Sequence, residues 1–184
     1  RWVEDRKKFR IDLQTYPEVA FNPLGFLAGP PGSTDFVQLD NDYEEITPKF
    51  GLDYIFETSG NIDSLMVYGS ASSGFKGGGY NGIAIFNLAD ARTAYGPESN
   101  WTYEAGVKTD LFGSTLRLNA SYWLADVDDL TLNATANNNT SFPVQNAGTA
   151  TLKGLEMEVT WLPIDGLTLF FIGAFSDGEF DTLD

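Results

Sequence analysis

Cysteine and histidine are both absent from this chain of 184 residues. Without cysteine there can be no disulfide bonds or thiolate zinc sites, and without histidine the commonest general base and metal ligand is missing. Most hydrolase and metalloenzyme templates are therefore excluded. An enzyme would be left with carboxylate, lysine or tyrosine chemistry, and we predict that the protein is not an enzyme.

Positive charge is also scarce. The chain has 11 lysines and arginines against 26 aspartates and glutamates, which gives a net charge of −15. A protein that binds nucleic acid needs a basic surface to neutralise phosphates. We therefore expect no nucleic-acid partner.

Long hydrophobic runs are missing as well. No segment approaches the roughly 18 consecutive apolar residues of a membrane-spanning helix, so a membrane role would require a β-barrel. The first residues, "RWVEDRKKFRIDL", lack the apolar core and cleavage site of a signal peptide. We expect either that a signal was removed or that the chain is an internal fragment.

The chain does contain repeated alternation of apolar and polar residues. The pattern is clearest at 115–125 and 155–161, and it recurs at 49–56 and 101–108. Period two places successive side chains on opposite faces of a strand, whereas helical spacing would mix the two sets. Each segment is therefore predicted to be a strand with one apolar face.

The connections between these strands alternate between short and long. The short ones lie at 58–63, 112–114 and 163–166. The long ones lie at about 15–43, 77–99 and 134–145. This alternation predicts an all-β, antiparallel up-and-down meander of about seven strands, in which residues 44–182 form about six sequentially paired strands. The strands have the length of about 9 to 11 residues that a tilted transmembrane strand requires, which favours a transmembrane β-barrel.

The two faces of these strands suggest two environments. The polar side chains suit a water-filled lumen; they are Glu104, Lys108, Arg117, Asn119, Glu156 and Glu158. The apolar side chains are predicted to face lipid; they include Leu116, Leu118, Tyr122, Leu155, Met157 and Val159. Aromatic residues near strand ends suit interfacial girdles; they are Tyr54, Phe56, Trp101, Tyr103 and Trp161. The alternative is a soluble or secreted β-rich binding module, in which the same apolar faces close over a core.

The stretch "SSGFKGGGYNG" at 72–82 has the GxGxxG spacing of a dinucleotide-binding turn, in Gly77, Gly79 and Gly82. The strand before it is too polar for a parallel sheet buried on both faces, and no βαβ unit surrounds it. We predict instead a flexible loop that leaves a strand end, where glycine permits positive φ. Its aromatic and amide residues are candidate ligand contacts: Tyr80, Asn81, Phe86 and Tyr95.

No cofactor or metal is predicted. The acidic runs at 40–45 and 128–129 offer the oxygen ligands that Ca²⁺ prefers, but neither has the glycine and glutamate spacing of a known calcium loop.

Five blocks of this chain resemble the barrels of TonB-dependent receptors, in the same order and spacing. They are "TPKFGLDYIF", "LMVYGSASSGFKGGGYN", "YGPESNWTYEAGVKTDLF", "TLRLNASYWLADVDDL" and "VQNAGTATLKGLEMEVTWLPIDGLTL". The resemblance covers about residues 44–178.

The resemblance implies a function for the whole protein. It implies that residues 1–184 are part of a 22-stranded barrel in the outer membrane of a Gram-negative cell, with the plug domain outside this chain. Such a receptor imports a scarce nutrient, which would be an iron–siderophore-like, cobalamin-like or oligosaccharide ligand. The implied partners are outer-membrane lipid, the imported small molecule, and a TonB-type energy-coupling protein that acts through the plug.

Overall fold

A computed structural model describes residues 2–14, 34–81, 93–133 and 144–183. All regular structure in these ranges is β, and they contain no helix long and apolar enough to cross a membrane. The strands are β1 (Trp2–Gln14), β2 (Thr34–Ile46), β3 (Lys49–Ile55), β4 (Ile62–Lys76), β5 (Gly79–Tyr80), β6 (Ala94–Tyr95), β7 (Glu98–Leu111), β8 (Leu116–Asp128), β9 (Thr131–Asn133), β10 (Val144–Asn146), β11 (Gly148–Ile164) and β12 (Leu167–Leu183).

Six strands form one antiparallel meander. Their order in the sheet is β3-β4-β7-β8-β11-β12, so each long strand pairs with the next one along the chain. The predicted sequential pairing of residues 44–182 is confirmed. The strands have 13 to 17 residues except β3, which has 7, and most are far longer than the average of about 5 to 6 in globular proteins.

A separate hairpin of β1 and β2 precedes the meander. Only Thr47 and Pro48 separate β2 from β3, and the Pro48 carbonyl still accepts a hydrogen bond from the Ser73 amide at 2.9 Å. Counted as one strand interrupted at this proline, β2 and β3 bring the total to seven, as predicted.

The short turns all lie at one edge of the sheet, as their sequences predict. Phe112, Gly113 and Ser114 have φ values of 58°, 66° and 60°, which make a tight left-handed turn between β7 and β8. Neighbouring turns are joined by the Phe112 amide, which donates to the Asn61 carbonyl at 2.9 Å. The strands extend further into the turns than predicted, because β4 begins at Ile62 and β11 continues to Ile164.

The register places the predicted polar residues on one face, here called the polar face. Asn119 lies opposite Lys108 on one side and opposite Glu158 on the other. The alternation of β7, β8 and β11 then brings the remaining members to the same face: Glu104, Arg117 and Glu156.

The predicted apolar residues share the other face, here called the apolar face. The opposed pairs between β8 and β11 are Leu116–Trp161, Leu118–Val159, Ala120–Met157 and Tyr122–Leu155. Strand β12 continues this face, with Phe171 opposite Val159 and Phe175 opposite Leu155. A single apolar surface therefore crosses the sheet.

This surface has no protein cover in the described part of the chain. The buried apolar residues there are Ala147 and Ala150, each 6% exposed, whereas Leu52 on the apolar face is 80% exposed and Phe175 is 71% exposed. A soluble domain of this size would bury such side chains in a core.

Candidate functional site

The long connections begin and end at the edge opposite the short turns. We call this edge the rim and define it as residues 77–81, 93–98, 129–131 and 144–148. Two small sheets lie here: β5 pairs with β6, and β9 pairs with β10. Candidate ligand residues Tyr80 and Tyr95 lie in β5 and β6, and Phe86 lies outside the described residues.

The glycines that open the rim are needed for space. A Cβ on Gly78 would lie 2.2 Å from the Tyr95 carbonyl oxygen, and one on Gly79 would lie 2.6 Å from the Tyr95 hydroxyl. Neither glycine has a positive φ, and both are buried. The expectation of positive φ at these glycines is therefore wrong, since what requires glycine at 78 and 79 is close contact with a neighbouring segment.

The same contacts argue against a phosphate cradle. A Cβ on Gly77 would lie 2.3 Å from an Asp5 carboxylate oxygen, which places negative charge beside the backbone that would have to bind an anion. Tyr95 fills the space at Gly79. The third glycine of the motif, Gly82, lies outside the described residues.

Asn81 joins the connection between β4 and β7 to the connection between β8 and β11, which are called the first and the second long connection below. It is 5% exposed, and its amide nitrogen donates to the carbonyl of Val144 at 3.2 Å and to that of Thr93 at 3.5 Å. Its amide oxygen accepts a hydrogen bond from the Val144 amide. The Asn81 side chain is thus hydrogen-bonded to backbone groups of the rim.

Asn146 makes the corresponding contacts in the other direction. Its oxygen accepts from the Gly96 amide at 2.7 Å, and its nitrogen donates to the Gly96 carbonyl at 3.2 Å. The same nitrogen donates to the carbonyls of Pro97 at 3.3 Å and Asp129 at 2.8 Å. Sequence reasoning missed this residue. Its context was a possible signal, because in "NAG" a short amide side chain stands two residues before a glycine, as is common in turns where the side chain bonds to the backbone.

The β1–β2 hairpin also reaches the rim. The Tyr43 hydroxyl donates to the Tyr95 carbonyl at 3.2 Å and accepts from the Asn41 side chain at 2.9 Å. Three separate parts of the chain therefore meet at Tyr95.

A charged cluster lies where β4, β7 and β9 meet at the rim. Glu98 accepts hydrogen bonds from Lys76 Nζ at 3.1 Å, from the Thr131 amide at 3.1 Å and from the Thr131 hydroxyl at 2.9 Å. Burial by itself raises the pKa of Glu98, but these hydrogen bonds and the charge of Lys76 together outweigh it and hold that pKa below its ordinary value.

The lowered pKa of Glu98 makes a testable contribution to stability. We expect Glu98→Gln to lower the melting temperature at pH 7, because the ionised carboxylate is stabilised only in the folded state. The difference from wild type should shrink as the pH falls through the folded-state pKa, where the wild-type side chain is protonated too. Melting curves of both proteins from pH 7 down to about pH 3 would measure this difference in melting temperature. A difference that does not change with pH would contradict the prediction.

The polar face carries a second group of interactions. The Tyr68 hydroxyl donates to Glu104 at 2.5 Å, and Lys108 Nζ lies 5.5 Å from the centre of the Tyr68 ring. The Asn119 side chain donates to Glu158 at 3.2 Å. These residues line a depression of about 460 Å³ on the polar face.

Two aromatic rings on the polar face cover glycines on the next strand. Tyr68 lies directly opposite Gly106, and Trp123 lies directly opposite Gly154. A Cβ on either glycine would come within 2.6 Å of the ring. Each ring therefore lies against the backbone of the neighbouring strand, in the space that a side chain at the glycine would occupy.

No group of three or more histidine, cysteine, aspartate or glutamate side chains in the described ranges is arranged to hold a metal ion. The arrangement is that of an amphipathic sheet with a connected rim.

Comparison with known proteins identifies the fold. The family model described as "TonB dependent receptor-like, beta-barrel" matches residues 19–183. The chain belongs to the TonB-dependent receptor β-barrel family. This family consists of receptors and transporters rather than enzymes.

A solved structure shares the fold of this chain. The TonB-dependent receptor chain is similar to the ferric yersiniabactin uptake receptor FyuA from Yersinia pestis, with a TM-score of 0.60 and 21% sequence identity. The match covers 82% of this chain and 21% of that receptor, so the chain spans about a fifth of its length. At this identity the likeness concerns the fold alone.

Proposed function

We propose that residues 1–184 are part of a barrel that imports a scarce nutrient across the outer membrane of a Gram-negative cell. The observation that carries the proposal is the apolar face, which crosses the sheet without protein cover and lies opposite a polar face. A soluble or secreted binding module would need a core beneath this face, and among the described residues the only buried hydrophobic side chains are those of two alanines.

The dimensions of the apolar face suit a bilayer. On β7 the apolar face runs from Trp101 to Leu111. At about 3.3 Å per residue this is about 33 Å of strand, or about 25 Å of height after a tilt of about 40°, which matches the apolar band of outer-membrane barrels. On this basis Glu98 lies beyond the band, on the rim side.

Aromatic pairs border this band at both edges. Trp101 and Tyr103 stack near the rim with ring centres 6.3 Å apart, and Tyr54 and Phe56 meet edge to face near the short turns at 4.7 Å. We infer that these pairs form the two interfacial girdles. The rim would then face the cell exterior and the short turns the periplasm.

The polar face would line the lumen, with Glu104, Lys108 and Asn119 at its centre. We infer that the plug domain lies outside this chain and that a TonB-type protein supplies energy through it. Lipid and the imported molecule complete the set of partners, and the net charge of −15 argues against nucleic acid.

The ligand class stays open between an iron–siderophore-like chelate, a cobalamin-like molecule and an oligosaccharide. We propose that Tyr80, Phe86 and Tyr95 contact it, since loops on a rigid scaffold commonly carry binding residues. The amide of Asn81 is engaged by Val144 and Thr93, so its part would be to hold the loop in place.

Replacing residues 77–95 of the intact receptor by a short Gly/Ser linker should abolish energised uptake. The probes would be radiolabelled ferric hydroxamate and catecholate chelates, cyanocobalamin and a maltooligosaccharide, supplied to cells that depend on this receptor. A matched variant with the short turn 57–61 replaced by the same type of linker should keep its uptake.

The outcomes separate the two parts of this proposal. Uptake that persists in the 77–95 variant would contradict the ligand-contact role. Uptake of the same probe that is insensitive to a proton uncoupler would contradict energised transport.

A further inference from the structure

Two asparagine side chains at the rim exchange hydrogen bonds in opposite directions. Asn81, in the first long connection, binds both the amide and the carbonyl of Val144 in the second. Asn146, in the second connection, binds both the amide and the carbonyl of Gly96 in the first. Each side chain thus binds both backbone polar groups of one residue in the other connection, and Asn146 also donates to the Pro97 carbonyl.

A primary amide can do this because it carries an acceptor and a donor side by side, as a peptide group does. Backbone groups that are shielded from water need partners. The strands available at this place are very short: β5 and β6 have 2 residues each and pair only with each other, and β9 and β10 have 3 each. The two side chains substitute for the missing ladder between these small sheets.

We propose that Asn81 and Asn146 form one reciprocal clasp that joins the bases of the two long connections into a single unit. They are positioning residues, because they hold the backbone that carries Tyr80 and Tyr95. Only this consequence for ligand binding rests on the proposed transport function. The clasp itself, which couples the two connections, does not depend on that function.

The surroundings favour coupled action over two independent contacts. Asn146 also donates to the Asp129 carbonyl at 2.8 Å. Asp129 and Asn146 lie at the two ends of the second connection, so this one side chain links both ends to the first connection. Gly96 is closely packed against it, since a Cβ there would lie 3.1 Å from Asn146 Oδ1. Strands β6 and β10 lie close to each other.

The test replaces the amide nitrogen of each asparagine, which is the donor, by a carboxylate oxygen and keeps the shape of the side chain. In Asn146→Asp and Asn81→Asp, a carboxylate oxygen would face a backbone carbonyl that has lost its donor. In the intact receptor we expect Asn146→Asp to speed hydrogen exchange at the Gly96 amide, because repulsion between the carboxylate and the Gly96 carbonyl, which has lost its donor, pushes the two residues apart. We expect faster exchange at the distant Val144 amide as well. The expected acceleration is about tenfold or more at both positions, as for the loss of a shielded hydrogen bond.

Gln145→Glu provides the matched control. It adds the same charge one residue away, at an exposed position of β10, and should leave exchange at both amides within about twofold of wild type, as expected for a surface substitution. The double variant should exchange little faster than either single variant, because a broken clasp cannot be broken twice.

Two results would overturn the clasp. One is faster hydrogen exchange only at the amide that the substituted side chain itself contacts. The other is a double variant in which the effects of the two single substitutions on the exchange rates add up fully. Uptake of the probe that the wild type imports gives a second readout, and unchanged uptake in both Asp variants would overturn the positioning role. Failure of the wild type to import any probe would contradict the proposed function, while the exchange measurement would still decide the clasp.

Discussion

Leu118→Arg in the intact receptor should lower the free energy of unfolding by about 2 to 4 kcal/mol, the cost of an arginine near the bilayer midplane on the lipid face of a barrel strand. Leu118 lies on the apolar face in β8, between Thr109 of β7 and Val159 of β11. A guanidinium there would have no partner and little water. Urea unfolding of the receptor in lipid vesicles would measure the change.

Asn119→Arg is the matched control, one residue along the same strand. Asn119 is on the polar face, where it donates to Glu158 and lies opposite Lys108, so an arginine there can stay hydrated and meet a carboxylate. We expect a nearly neutral effect. Equal losses for the two variants would contradict the lipid and lumen assignment, and a larger loss for Asn119→Arg would mean that the two faces are exchanged.

Gly148→Ala should be the most damaging small substitution at the rim. Gly148 has a φ of 137°, which side chains rarely adopt, and a Cβ there would lie 2.0 Å from the Thr182 carbonyl oxygen. Its own carbonyl accepts from the Leu130 amide at 2.9 Å. Backbone strain and crowding together predict that the free energy of unfolding falls by about 2 to 5 kcal/mol. The same urea unfolding experiment would measure this change.

Gly60→Ala separates strain from crowding. Gly60 has a φ of 73°, but a Cβ there would have no atom within 4 Å. We expect a loss of about 1 to 2 kcal/mol from the left-handed backbone alone. If Gly148→Ala were no worse than Gly60→Ala, then the close approach of β12 at Thr182 would not be what requires glycine at 148.

Much of the fold could be predicted because its signals are local. Period-two alternation identifies the faces of a strand from the strand's own residues, as in 115–125, and turn residues such as those at 112–114 mark where a strand ends. Alternating short and long connections then determine which strands are neighbours. The five sequence blocks that resemble TonB-dependent receptors pointed to the same arrangement.

The rim could not be predicted in this way. The glycines at 77–79 match a phosphate-binding spacing and also a flexible loop, but both interpretations treat the segment as if it were isolated. Their actual neighbours are Asp5, Tyr43 and Tyr95, which come from distant parts of the chain. A glycine chosen for close contact is indistinguishable in sequence from one chosen for positive φ.

The sequence by itself thus determined the strands, their faces and their order, because strand patterning depends on residues two positions apart. Only the tertiary structure decided which side chains meet at the rim. Asn81 and Val144 are 63 positions apart, and Asn146 and Gly96 are 50 apart. The register of β4, β7, β8 and β11 brings them together. Hydrogen bonds between a side chain and a distant backbone leave no periodic trace in the sequence.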